Sequence, residues 1–490
     1  MHLGIDIGTS SVKTVLVDDD QRVVAVAEHP LEVSRPHDGW SEQDPADWWQ
    51  GILATVDRLK QSHPAEISAV RGIGLSGQMH GATLLGADDR VLRPCILWND
   101  GRSGAECAEL EAKLPDLVRI TGNRAMPGFT APKLAWVARH EPDIFAATRT
   151  VLLPKDYVRL LLTGEKVSEP SDAAGTLWLD TGARTWSPEV LAATGLDLSH
   201  MPRLVEGSEP SGVLRKELVE RWGMARAPVV AGGAGDNAAG AVGIGAISAG
   251  DAFVSLGTSG VLWVTTDAFR PNPARGVHAF CHAVPGTWHQ MGVILAAASA
   301  LTWVTRLVGA PGEAELVARI DPARAGHNPV LFQPYLSGER TPHNDPDARA
   351  AFAGLSHATG PEDLALAVLE GVAFAVRDCL DALAEAGSKP AAVAAIGGGS
   401  RSDLWLGIIA AALDLPVHRL AGGDLGGAFG AARLGRIAAD GADPAAIATK
   451  PPVAAVIDPD RGLAARYGET LGRYRALYPA LKGITGKATA

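Results

Sequence analysis

Two acids stand where apolar strands run into turns rich in backbone N–H groups. The first, Asp6, belongs to the alternating run Leu3, Ile5, Ile7 and opens Asp6-Ile7-Gly8-Thr9-Ser10-Ser11. A carboxylate followed by glycine and hydroxyl residues can hold Mg²⁺ and cradle phosphate together. A plain hairpin would use the same residues, so an echo matters: Gly-Thr-Ser recurs as Gly257-Thr258-Ser259, again between two β-rich runs. Two such hairpins facing across a cleft can grip both ends of a polyphosphate. The second acid, Asp236, follows Ala231-Gly232-Gly233-Ala234-Gly235 and precedes a small-residue run over 238–245. Asp often caps a helix start. Capping needs no run of glycines, whereas bare backbone lets a ligand approach, which favours a functional acid.

Two further groups bear on ligands. Residues 393–396 read as a strand passing through Gly397-Gly398-Gly399-Ser400 into a helix from about Leu404, with room for a base or phosphate at the helix start. The phosphate-loop pattern Gly-Lys-Ser/Thr is absent there. Gln78-Met79-His80-Gly81 and Trp98-Asn99-Asp100-Gly101-Arg102 both follow apolar strands and carry polar groups suited to sugar hydroxyls. For His80, substrate contact and a structural role are evenly balanced. The stretch Gly426-Gly427-Ala428-Phe429-Gly430-Ala431-Ala432 suits close helix packing. No histidine pair has metal-ligand spacing, and no Gly-x-Ser-x-Gly elbow occurs.

The elements that must position these residues follow from periodicity. Residues 3–17 form two strands around a turn and 23–28 a third, making a meander; 48–60 is helical and 70–75 a buried strand. Strand and helix then alternate to about residue 240, an α/β pattern. The chain starts again at 252–256 and 261–265, and 490 residues exceed the roughly 250–300 that one core serves. A duplicated fold results, divided within the glycine-rich 241–250, with a ligand cleft between halves. The apolar run 293–304 reads as a buried helix, too short for the roughly 20 residues of a bilayer span. Residues 484–490 read as a frayed tail.

Composition excludes several classes. Apolar residues make up 47% and charged residues 20%, as in a soluble globular protein. Glycine, 56 residues, is the outlier and points to turns beside ligands. The net charge of −11, with no run of Lys or Arg, offers nothing to nucleic acid or an anionic membrane. Cys95, Cys107, Cys281 and Cys379 form no CxxC pair and read as reduced, buried thiols. With no signal-peptide pattern at the start, the expected location is cytoplasmic.

Asp6-Ile7-Gly8-Thr9, Gly235-Asp236-Asn237, Gly257-Thr258-Ser259-Gly260 and Gly397-Gly398-Gly399 together resemble the FGGY carbohydrate kinases. Residues 128–140 and 350–370 resemble that family's two signatures. Gly39-Trp40-Ser41-Glu42-Gln43-Asp44-Pro45, Gln78-Met79-His80-Gly81, Trp98-Asn99-Asp100-Gly101-Arg102 and Leu336-Ser337-Gly338-Glu339-Arg340-Thr341-Pro342-His343 resemble its bacterial members that phosphorylate D-xylulose. The resemblance implies two ribonuclease H-like domains of the actin-like ATPase type: 1–245 for sugar binding and catalysis, 246–490 for nucleotide. It implies Mg²⁺ and ATP, transfer to the sugar 5-hydroxyl, Asp236 as general base, and Asp6 beside the metal. Met79, His80, Asp236 and Asn237 would contact sugar; Thr9, Thr258, Gly398 and Gly399 would contact nucleotide. A homodimer is a family-level expectation. Kinases of ribulose, gluconate or glycerol share the phosphate machinery, and a non-catalytic sugar sensor would not need both acids.

Overall fold

The computed structural model describes residues 1–421 and 426–484. Alternation makes the first hairpin, β1 (His2–Ile7) and β2 (Ser11–Val17), and β3 (Val23–Pro30) extends it antiparallel. Leu3, Ile5 and Ile7 bury one face of β1 with Trp48, Ile52 and Val56 of α1 (Pro45–Ser62), an 18-residue helix capped by Asp44. On the other side β1 pairs in parallel with β4 (Gly72–Gly77). β5 (Pro210–Val213), β6 (Val229–Ala231) and β7 (Ala234–Gly235) finish the sheet, β6 and β7 both parallel to β4. Helix α2 (Asp236–Gly243) follows at once.

The second sheet repeats this plan. It contains β8 (Ala252–Leu256), β9 (Gly260–Thr266), β10 (His278–Cys281), β11 (Trp288–Ile294), β12 (Val393–Ile396), β13 (Val417–Leu420) and β14 (Val453–Ile457). Shared strands run β3-β2-β1-β4-β6 in one sheet and β11-β9-β8-β12-β13 in the other, each an antiparallel meander joined to parallel strands. This is the expected pair of related α/β units of the actin-like ATPase type. The second core packs the sheet against α3 (Ala298–Leu307), α4 (Pro361–Glu385), α5 (Asp403–Leu413) and, later in the chain, α7 (Arg461–Leu481).

One helix departs from its place in the chain. Helix α6 (Gly426–Asp440) falls between β13 and β14 of the second sheet in sequence but lies on the first. A Cβ on Gly4 would sit 1.8 Å from the Ala428 carbonyl oxygen, and one on Gly74 1.7 Å from that of Ala431. Those strand positions must be glycine because helix backbone rests on them. Helix α6 also crosses α2, where a Cβ on Gly430 would lie 1.8 Å from the Ala239 carbonyl oxygen. The close-packing role expected for 426–432 is therefore met, and several glycines serve packing rather than ligand turns.

The run 293–304 is not one helix. Val293 and Ile294 finish β11, paired with Val261 and Gly260, and the chain enters α3 only at Ala298. The Ala297 and Ala298 N–H groups donate to the carbonyls of Thr258 and Gly257. All four cysteines are free and buried. Among the described residues no helix is long and apolar enough to cross a membrane. Apart from Ile484, the tail expected to fray lies outside the described residues.

Candidate active site

Parallel register brings the two acids to one edge. Asp6 pairs with Ser76 across β1 and β4, and Gly235 pairs with Gly77 across β7 and β4. The C-terminal ends of three neighbouring parallel strands thus deliver Asp6, the Gln78-Met79-His80 loop and Asp236 together, the usual ligand edge of an α/β sheet. Ser76 Oγ donates to Asp6 Oδ1 at 2.7 Å. Burial raises the Asp6 pKa, opposed by that hydrogen bond and by Lys13. The first turn of α6 closes over both: a Cβ on Gly427 would lie 2.7 Å from Ser76 Oγ and 3.1 Å from Asp6 Oδ1.

Asp236 is the first residue of α2 and does not cap it; the N-cap is Gly235. Its Oδ1 accepts from Asn237, from the backbone N–H at 2.7 Å and from Nδ2 at 3.0 Å. Oδ2 makes no hydrogen bond within the described residues. The carboxylate reaches solvent at the bottom of a recess, where surrounding protein and then the Asp6 charge push its pKa up to about 6. A carboxylate tuned toward neutrality is suited to accept a proton at physiological pH.

The Gln78-Met79-His80 loop, expected to contact sugar, is held from both sides. Met79 is buried; a Cβ on Gly235 would meet its Cγ at 2.9 Å. His80 adopts a φ of 70°, and its Nδ1 lies 2.6 Å from the Gly175 carbonyl oxygen. A carbonyl only accepts, so Nδ1 carries the proton and Nε2 is left as an acceptor toward the recess. Burial lowers the His80 pKa to about 3, so the ring is neutral. The His80 carbonyl in turn accepts from Thr130 Oγ1 at 3.1 Å and Lys133 Nζ at 2.8 Å. Residues 128–140 therefore underpin the Gln78-Met79-His80 loop, a role their sequence did not disclose.

Of the residues expected to contact nucleotide, Thr258 and Gly398 are exposed. The Thr258 carbonyl accepts from Ser299 Oγ at 2.7 Å, tying its hairpin to α3. Gly397 has a φ of 85°; Gly398 has open space where a Cβ would point; Gly399 packs on Leu256 and Trp405. Thr9 differs from expectation in detail: its hydroxyl donates to Gln78 Oε1 at 3.1 Å and accepts from Trp98 Nε1 at 3.0 Å. In the Trp98–Arg102 phrase Trp98, Asn99 and Gly101 are exposed. Asp100 and Arg102 pair with each other, and Arg102 pairs with Glu42 at 2.7 Å, a buried structural network rather than a hydroxyl site.

Sequence reasoning also missed the support beneath Asp236. Lys155 Nζ, fully buried, lies 2.7 Å from Asp156, 2.9 Å from Asp172 and 3.3 Å from Glu169. Arg159, anchored 3.4 Å from Asp156, donates to the Gly232 carbonyl, and Ser171 Oγ accepts from the Gly235 N–H at 3.1 Å. The glycine loop that presents Asp236 is thereby fixed by buried charge. Such clusters give little net stability but hold geometry. The only sequence signal was the density of charge over 155–172, four acids and three bases.

Comparison with known proteins agrees with this arrangement. Residues 1–243 match the model of the N-terminal domain of the FGGY family of carbohydrate kinases, and residues 252–439 match that of its C-terminal domain. The chain is 52% identical to the xylulose kinase of Escherichia coli (strain K12), over 90% of each chain. It is 49% identical to that of Klebsiella pneumoniae, over 99% of this chain and 100% of the other. The crystal structure of a xyloylose kinase from Brucella ovis superposes with a TM-score of 0.96 at 57% identity, covering 99% of each chain. With both domain models matched across most of its length, the chain belongs to the FGGY family of carbohydrate kinases.

Proposed function

We propose that this kinase transfers the terminal phosphoryl group of ATP to the 5-hydroxyl of D-xylulose. The observation that carries the reading is one strand edge at which Asp236, Asp6 and the Met79-His80 loop meet, in a chain 49–52% identical to proteins named xylulose kinase. Asp236 is the general base. Asn237 occupies Oδ1, so Oδ2 takes the hydroxyl proton as attack proceeds. His80 accepts a sugar hydroxyl at Nε2, Met79 forms the apolar wall, and Asn237 orients the base and borders the sugar. Thr258, Gly398 and Gly399 line the nucleotide side, while Thr9 contributes the backbone of its turn, its hydroxyl being engaged. Residues 1–245 bind sugar and carry the base; 246–490 bind nucleotide.

Asp6 suits a single-carboxylate Mg²⁺ site. Among the described residues no group of three or more metal-binding side chains exists, and Mg²⁺ commonly takes one or two carboxylates with phosphate oxygens and water. Burial alone disfavours the Asp6 charge, which a cation would offset. When bound, Mg²⁺ neutralises charge on the transferring phosphoryl group. The chain's own part is positioning, proton acceptance at Asp236 and exclusion of water as the halves close. The test is ADP release over D-xylulose, ribulose, gluconate and glycerol. D-xylulose should give the highest kcat/KM; a preference for gluconate or glycerol overturns the assignment.

A further inference from the structure

The end of the recess around His80 is built from both halves of the chain. The His80 ring meets Phe129 edge-on at 4.8 Å and lies 6.3 Å from Phe280. Phe129 meets His278 edge-on at 5.7 Å, and His278 stacks on Phe280 at 5.5 Å. His278 and Phe280 belong to β10, the edge strand of the second sheet. Arg340 completes the group: its Nη1 lies 2.9 Å from His278 Nε2, and its charge acts on His80.

Hydrogen bonding fixes how this arginine is held. A guanidinium only donates, so His278 Nε2 accepts and Nδ1 carries the proton. That proton goes to Asn123 Oδ1 at 3.1 Å. The Asn123 amide is oriented in turn, because Nδ2 donates to the carbonyls of Thr121 and Ala279 at 2.9 Å each. The loop bearing Arg340 is pinned by Thr341, whose Oγ1 donates to the Gly276 carbonyl at 2.9 Å and accepts from the Val293 N–H at 3.0 Å.

Arg340 therefore rests on a neutral acceptor. Among the described residues no carboxylate lies within ion-pair distance of its guanidinium. Glu339, the acid that acts on it, spends Oε1 on the backbone N–H groups of Leu295 and Arg340. The Arg340 Nε and Nη2 donors make no hydrogen bond within the described residues and are not sealed from solvent. A half-buried fork of donors fits two neighbouring oxygens of a ligand. Met79 packs on Gly235 beside Asp236 and also on Gly175, where the His80 ring packs too, so Met79 lies between the base and His80. A sugar with its reacting hydroxyl on Asp236 presents its opposite end to His80 and Arg340.

We infer that Arg340, positioned by His278, is a specificity-determining residue that donates to the C2 carbonyl and C1 hydroxyl oxygens of the acceptor ketose. The inference rests on the proposed reading of the acceptor. Steady-state kinetics of the full chain test it with D-xylulose and with glycerol, which has a reacting hydroxyl but no carbonyl end. Arg340→Gln should lower kcat/KM for D-xylulose by about 10- to 100-fold, chiefly through KM, and change that for glycerol less than about threefold. Equal losses on both acceptors, a loss confined to kcat, or unchanged D-xylulose kinetics would each overturn it. If a thermal melt shows Arg340→Gln destabilised, Arg340→Lys decides: it keeps the charge without the fork, and a loss of about 3- to 10-fold on D-xylulose is expected. Wild-type kinetics in Arg340→Lys would make Arg340 structural. Wild-type failure to use D-xylulose would instead sink the acceptor assignment before any variant is made.

Discussion

Replacing Asp236 with Asn tests the chemistry most directly. The change is isosteric, and Asn retains an oxygen for the Asn237 N–H at 2.7 Å. It removes no cap, because Gly235 is the N-cap of α2, so the fold and nucleotide binding should survive. What disappears is the proton acceptor at Oδ2. General-base catalysis is worth roughly 10²- to 10⁴-fold, or about 3–5 kcal/mol of barrier at 1.36 kcal/mol per decade. Turnover should therefore fall by at least about 100-fold in a coupled ADP-release assay with saturating D-xylulose.

The pH profile supplies a second reading of the same residue. Burial and the Asp6 charge raise its pKa to about 6, so the active carboxylate form is lost as pH falls through that value. About nine-tenths of the sites are ionised at pH 7 and about one-tenth at pH 5, which predicts a roughly tenfold drop in kcat/KM between them. The residual rate of Asp236→Asn should lack this limb. Near-wild-type turnover in the Asn variant, or an unchanged acid limb, would refute the base assignment.

Asp6→Asn removes the charge that helps raise the Asp236 pKa, so an NMR titration of the Asp236 carboxyl should give a midpoint below about 6. His80→Ala removes the Nε2 acceptor and leaves the Gly175 carbonyl without its 2.6 Å partner; kcat/KM for D-xylulose should fall by about 1–3 kcal/mol of transition-state binding, read from steady-state kinetics. Gly74→Ala drives a methyl to 1.7 Å from the Ala431 carbonyl oxygen, and since backbone must move, denaturation should show a loss of about 1–3 kcal/mol or more.

Much of this arrangement was legible before any coordinates. The first meander, the hairpin that opens the second half, a strand read at 70–75 and found at Gly72–Gly77, and the helix start at Asp236 follow from apolar runs and from the glycines that interrupt them. Periodicity failed where neighbours decide. Val293 and Ile294 are as apolar as the helix that follows, and only pairing with β9 makes them strand. Asp100 and Arg102 look like ligand groups in one dimension, and only Glu42, distant in sequence, shows them to be mutually satisfied. The glycines at 4, 72 and 74 alternate along two strands, a sign of close backbone approach on one face. Nothing in the sequence says that the approaching backbone comes from residues 426–440.

That exchange bears on catalysis. Asp236 begins α2, which shares a core with Phe253 and Trp263 of the second sheet, while Asp6 ends a strand covered by α6. Each acid is thus located in part by contacts that cross between the halves. Arg433 of α6 joins the two helices, donating to the Val242 and Gly243 carbonyls at the end of α2 at 3.0 and 3.1 Å. Cations stabilise helix C-termini, and a guanidinium satisfied by carbonyls is an expensive group to move. The crossing of α2 and α6 is therefore a stiff joint, and opening of the cleft must be taken up elsewhere. The far end of the site is tied across the halves as well: Asn123 holds His278 Nδ1 at 3.1 Å and donates to the Ala279 carbonyl at 2.9 Å, beside the ring contacts of His80 and Phe129 with His278 and Phe280. The two acids and the His80 end are thus all held by contacts between the halves, so the packing of one half on the other sets the geometry of the whole site.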